Sequence, residues 1–301
     1  MLTDFFKLND NSVQTFTTQT ELIAHLGRSN DLRNVFYQPS DLKQTSGHPK
    51  QKIKNTSFNN VSFSKTKFEN VVFYNCEFED CLFIGVEIVN CGFHNCSFKN
   101  CNTFKIRISN TYIHPNSFSN CFSKIEQANI AVHLFQQLVN NSTDEEQSRF
   151  RRYAEYNFKK WQDKLTLNKY KNHQPYKISI FVLLRQYPIN WLYRYSFGYG
   201  LRLRNFIISF ITIFTVFFSI NYINWKNYAL CSKDFPINAY DENNVNFASN
   251  FYYTIDATTK LVDSQFQAST NFGMYLLTLQ GVVGFIFLSA LITIILNRFV
   301  K

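Results

Sequence analysis

The chain has 301 residues, a formal net charge of +10 and 18% aromatic residues, with 33 Phe. That length suffices for two domains, and thirteen Lys/Arg fall between Arg149 and Arg204 against only Glu155 and Asp163. A charge gathered directly before a long apolar run points to anionic lipid headgroups rather than nucleic acid. The six His have no paired carboxylate or metal spacing nearby, and no Gly-rich phosphate loop occurs. No catalytic residue, metal site or cofactor is therefore expected, and the chain does not read as an enzyme.

Residues 1–50 suggest no role. The start, MLTDFFKLNDNS, lacks the apolar core of a secretory signal. Thr18–Leu26 suggests a short helix, and the polar stretch Gln38–Lys54 reads as a linker.

Residues 51–121 carry an internal repeat of period five. Phe58, Phe63, Phe68, Phe73, Phe78, Phe83, Ile88, Phe93 and Phe98 are one series; Thr103 breaks it, and Ile108, Ile113 and Phe118 resume in phase. Two residues before each stands a small or β-branched residue, such as Val71, Cys76, Cys81 or Cys96, and Asn recurs at Asn70, Asn75, Asn90, Asn95 and Asn100. Neither a helix nor a strand period yields this pattern. A chain turning about a right angle every five residues does, with both marked phases inside. The repeat resembles the pentapeptide-repeat family, which implies a four-sided right-handed β-helix. Roughly three coils fit, stacked ~4.8 Å apart.

The seven Cys include Cys76, Cys81, Cys91, Cys96 and Cys101, which share one repeat phase, and His94 lies in another. This favours buried core thiols over a metal site at Cys91-x-x-His94-x-Cys96. Cys76 should stack under Cys96, and Cys81 under Cys101.

Residues 122–175 suggest a helical hairpin. Ile125, Ala128, Val132, Phe135 and Val139 fall on one face, and Ser142-Thr143-Asp144-Glu145 reads as a capping box opening a second helix. Residues 176–204 combine an apolar run, Pro188, and the aromatic cluster Trp191, Tyr193, Tyr195, Phe197 and Tyr199. They suggest an interfacial helix and an elbow at Gly198-Tyr199-Gly200; an ordinary packed helix is the alternative.

Residues 205–301 hold two apolar runs, Asn205–Ile223 and Met274–Leu296, each close to the ~20 residues needed to cross a bilayer core. Between them Phe251–Thr259 is too short to span. Asp256 within it reads either as a helix-packing residue or as part of an acidic vestibule. The order resembles the two-span, potassium-channel-like ion channels: outer helix, pore helix ending in Thr-Thr, filter, inner helix. That resemblance implies a reentrant pore loop and a homotetramer. It places Thr258 and Thr259 at the family's paired threonines, and Lys260, Leu261, Val262 and Asp263 where Val, Gly, Tyr and Gly are expected. The missing glycines remove the geometry of a carbonyl cage, so a weakly selective path for inorganic ions is expected. In the second run Gly281 and Gly284 permit bending or close packing. Ser289, Thr293 and Asn297 form a polar stripe, read as pore-lining or as lipid-facing hydroxyls.

The combined expectation is a membrane protein with a cytoplasmic β-helix, a helical linker and a two-span channel domain. By the positive-inside rule it lies in the cell membrane with both termini cytoplasmic. The rival expectation is a membrane-anchored scaffold, or a stress or phage-defence effector, with a decayed pore.

Overall fold

The computed structural model describes residues 13–38, 41–45, 47–171, 178–231, 236–237, 247–260 and 266–299. The chain divides into two compact units, Met1–Pro188 and Ile189–Lys301.

The first unit is a β-solenoid of about five turns. From Ser57 the coil repeats every twenty residues: Ser57 pairs in parallel with Glu77, and Glu77 with Ser97. Three faces are parallel sheets, and the fourth is marked by the bridges Ser62–Leu82–Asn102. Every corner has the same cause. Asn55, Asn60, Lys65, Asn70, Asn75, Asp80, Gly85, Asn90, Asn95, Asn100, Lys105 and Asn110 all have φ between 49° and 67°. Asn tolerates this left-handed conformation better than most residues, which explains its recurrence. Its amides also bond from coil to coil: Asn75 Nδ2 donates to Asn55 Oδ1 at 3.1 Å, and Asn90 Nδ2 to Asn70 Oδ1 at 2.5 Å.

The residue after each corner and the one two further on point inward. Phe58, Phe78, Phe98 and Phe118 form a continuous stack with ring centroids 4.7, 4.7 and 4.3 Å apart. Cys76, Cys81, Cys91, Cys96, Cys101 and Cys121 are buried free thiols. Their Sγ–H groups bond backbone carbonyls, Cys81 reaching both Glu79 O and Phe58 O. Burial pushes the Cys91 thiol up to about 11. His94 lies on the outside of the coil, stacked between Tyr74 and Tyr112.

The solenoid begins earlier than the repeat does. Asp31–Tyr37, Leu42–Lys43 and Gln51–Lys54 are solenoid strands, so two pieces of the stretch read as a linker belong to the coil. The five-residue phase is hidden there because Asp31 pairs with Ser57, twenty-six residues on. The short helix is present as α1, Gln19–Leu26, with Thr18 and Glu21 in a reciprocal cap.

Helices α2 (Ala128–Asp144) and α3 (Ser148–Lys171) form the hairpin. Two details differ from expectation. Ser142, Thr143 and Asp144 end α2 rather than opening α3, and the break falls at Glu146, whose φ is 55°. The fully buried face of α2 is also rotated, to Ala131, Leu134, Phe135, Leu138 and Asn141, because it closes the open end of the solenoid; Val132 and Val139 are partly buried.

Helix α4, Ile180–Phe197, contains Pro188 and exposes Phe181, Leu184, Ile189, Trp191 and Leu192. The elbow follows, with Tyr199 in the left-handed region at φ 60° between two glycines. The second unit then holds α5 (Leu203–Ile223), α6 (Phe247–Thr259) and α7 (Asn271–Phe299). A small antiparallel sheet of Pro236–Ile237, Tyr228–Cys231 and Phe266–Ala268 ties the chain after α5 to the chain before α7. α5 and α7 are long and apolar enough to cross a membrane.

Candidate functional site

Helix α6, at thirteen residues, is ~20 Å long and cannot cross a bilayer core. It lies between the two long helices. Its outer side meets α5 through Phe247 on Phe218 and Phe251 on Phe214, at 5.1 and 5.5 Å. Asn250 Nδ2 also donates to Phe218 O at 3.0 Å.

Its inner side is held by a buried polar network. Asn221 of α5 donates through Nδ2 to Thr254 Oγ1 at 3.0 Å and to Gln280 Oε1 at 3.1 Å. Gln280 of α7 donates through Nε2 to Thr254 O at 3.1 Å and to Thr258 Oγ1 at 2.8 Å. Tyr228 closes the set by donating to Asn221 Oδ1 at 3.0 Å. Asn221 and Gln280 are each only 1% exposed. A satisfied network of this kind fixes one arrangement of three helices, since any slip strands buried amides. Sequence reading passed over Asn221, Asn250, Thr254 and Gln280. For Asn221 and Gln280 the signal was there, an amide inside each apolar run; for Asn250 and Thr254 there was none.

Close backbone approach completes the junction. A Cβ on Gly284 would lie 1.7 Å from Thr258 O, so only glycine admits the end of α6 against α7. A Cβ on Gly281 meets nothing within 4 Å in the chain. The two glycines therefore differ in kind, and Gly284 serves packing.

Thr258 is buried and donates to Thr254 O at 2.7 Å; Thr259 is half-buried and donates to Ile255 O at 2.8 Å. Lys260 ends the helix in the left-handed region, φ 54°, a position that favours glycine. Its ammonium turns back to Asp256 at 3.6 Å. Leu261, Val262 and Asp263 lie outside the described residues. On α7, at ~100° per residue, Ser289 and Thr293 face away from the packed seam of Gln280, Gly284, Phe287 and Ile294. Both are exposed, and both satisfy their hydroxyls on the helix's own carbonyls. Asn297 lies on the last turns of α7.

No protein-family model matches the chain, and no curated protein matches it significantly.

Proposed function

We propose that the chain is a homotetrameric membrane ion channel with a weakly selective, potassium-channel-like pore. The observation that carries this reading is α6: a helix too short to span, locked between two helices long enough to do so, its C-terminal carbonyl seated on Gly284. Such a helix delivers the segment after it into the middle of the structure, where non-helical backbone is tolerated beside water or inside protein. In this reading Lys260–Asp263 form the narrow reentrant part of the path, and the face of α7 with Ser289 and Thr293 lines the rest. More than one copy is required because two spanning helices cannot enclose a pore, and the resemblance to two-span channels implies four.

The apolar surfaces of α5 and α7, left mostly uncovered by the chain, support lipid and subunit contact. The exposed Phe181, Leu184, Trp191 and Leu192 of α4 suit the bilayer interface, and the basic segment beside them suits anionic headgroups. The solenoid and hairpin are then a cytoplasmic sensor or assembly base, and both termini are cytoplasmic.

The test is purified protein in a planar bilayer: discrete conductance steps are expected. Their absence from an intact tetramer selects the second reading, a membrane-anchored scaffold. That reading draws on Lys260, which holds a glycine-favouring backbone position with a charged side chain.

A further inference from the structure

The outer faces of the solenoid differ in chemistry. The sheet containing Gln51–Lys54, Val71–Tyr74, Gly92–His94 and Tyr112–Ile113 turns Lys52, Lys54, Tyr74, His94 and Tyr112 outward and has no carboxylate in its strands. Tyr74, His94 and Tyr112 form a column with centroids 4.8 and 4.5 Å apart. At its C-terminal end the chain leaves the coil at Pro115–Phe118, and a cavity of about 520 Å³ opens there.

That volume is in the range of small-molecule sites, ~300–1,000 Å³. The lining includes His94, Asn95, Lys99, Tyr112, His114 and Asn116, and no carboxylate. The lining thus offers an imidazole, a phenol and an ammonium beside side-chain amides. Lys99 is paired with Glu79, outside the lining, and Asp80 and Glu77 also act on it, so an anion at Lys99 takes the place of Glu79. Arg149 adds positive potential; after burial, it is what holds the His114 imidazole below its usual range. Donors and positive potential without a lining carboxylate suit a compact oxyanion, and the amides beside them suit hydroxyls.

We propose that this cavity binds a phosphomonoester on a small polyhydroxylated carrier, with Lys99 and His94 taking the phosphate and Asn95 and Asn116 the hydroxyls. Occupancy reaches the hairpin. Asn116 accepts the hydroxyl of Tyr153 on α3, and Phe150 packs on Tyr112 and His114 at 5.5 and 4.6 Å. The site stands whether or not the chain conducts.

The test is calorimetric titration of the full chain in detergent with ribose 5-phosphate, dihexanoyl phosphatidylinositol 4-phosphate and ribose. At least one phosphomonoester binds saturably, ribose does not, and the tighter of the two identifies a soluble or a lipid source. Lys99→Gln and His94→Gln, both surface changes checked for an unchanged melting temperature, each weaken binding by about tenfold or more. Absence of binding by both phosphomonoesters, equal binding of ribose, or variants that bind as wild type would overturn the proposal.

Discussion

Asn141 of α2 pairs with Thr111 as though it were a strand. Its Oδ1 accepts from Thr111 N at 3.0 Å and its Nδ2 donates to Thr111 O at 2.8 Å, both buried. At the other end Gln19 of α1 does the same to Lys43, with both bonds at 3.0 Å. A solenoid's terminal coils present open edges that invite another chain. Here a carboxamide carried on a helix satisfies one residue at each end.

The two pairs should differ in weight. Asn141→Ala strands two buried backbone groups and should cost about 2–4 kcal/mol, whereas Gln19→Ala, where water can substitute, should cost less than about 1 kcal/mol. Chemical denaturation of the full chain followed by circular dichroism measures both. Equal losses would mean that Asn141 does not close the edge.

Phe78 sits between Phe58 and Phe98 and is 1% exposed. Phe78→Ala should cost about 3–5 kcal/mol. Glu79→Ala, which breaks an exposed ion pair with Lys99, should cost under about 1 kcal/mol. The same unfolding curves rank them, and the reverse order would place the wrong phase inside.

Residues from Ser57 to Phe118 were legible because each coil repeats the same instruction: a left-handed corner, a small inward residue, a large one. The first coils were not, since the loop before Gln51 shifts the spacing from twenty to twenty-six residues and α1 interrupts the chain after Gln14–Phe16. End-capping by Asn141 was invisible because one amide in an amphipathic helix carries no mark of its partner. In the second unit the apolar lengths were plain, but the joint was not. Gln280 and Asn221 meet across fifty-nine residues, and Gly284 looks like any helix glycine until Thr258 O is placed beside it.

Gly284→Ala should force α6 away from α7 and break the bonds from Gln280 to Thr254 and Thr258. A lower melting temperature in detergent and loss of the assembled peak on size exclusion are expected. Gly281→Ala should leave both unchanged, its Cβ having open space within the chain. Equal tolerance of the two changes would contradict the close approach.

Topology is tested by thiol labelling. The six solenoid cysteines are buried, so Cys231 is the thiol to follow, with Lys99→Cys as an exposed marker on the solenoid. An impermeant maleimide on intact cells should label Cys231 and spare the marker until the membrane is permeabilised. Labelling of the marker alone would reverse the orientation.

Whether a conducting path is shaped by Lys260 instead of filter glycines is read from the reversal potential in asymmetric potassium chloride. In a tetramer Lys260 forms a ring of charge, and such rings set ion sign in wide pores. Wild type should discriminate poorly between potassium and sodium. Lys260→Ala should shift the reversal potential toward cation permeation, and Lys260→Glu should shift it further. A wild type strongly selective for potassium over sodium, or reversal potentials that ignore both substitutions, would rule out a path shaped by Lys260.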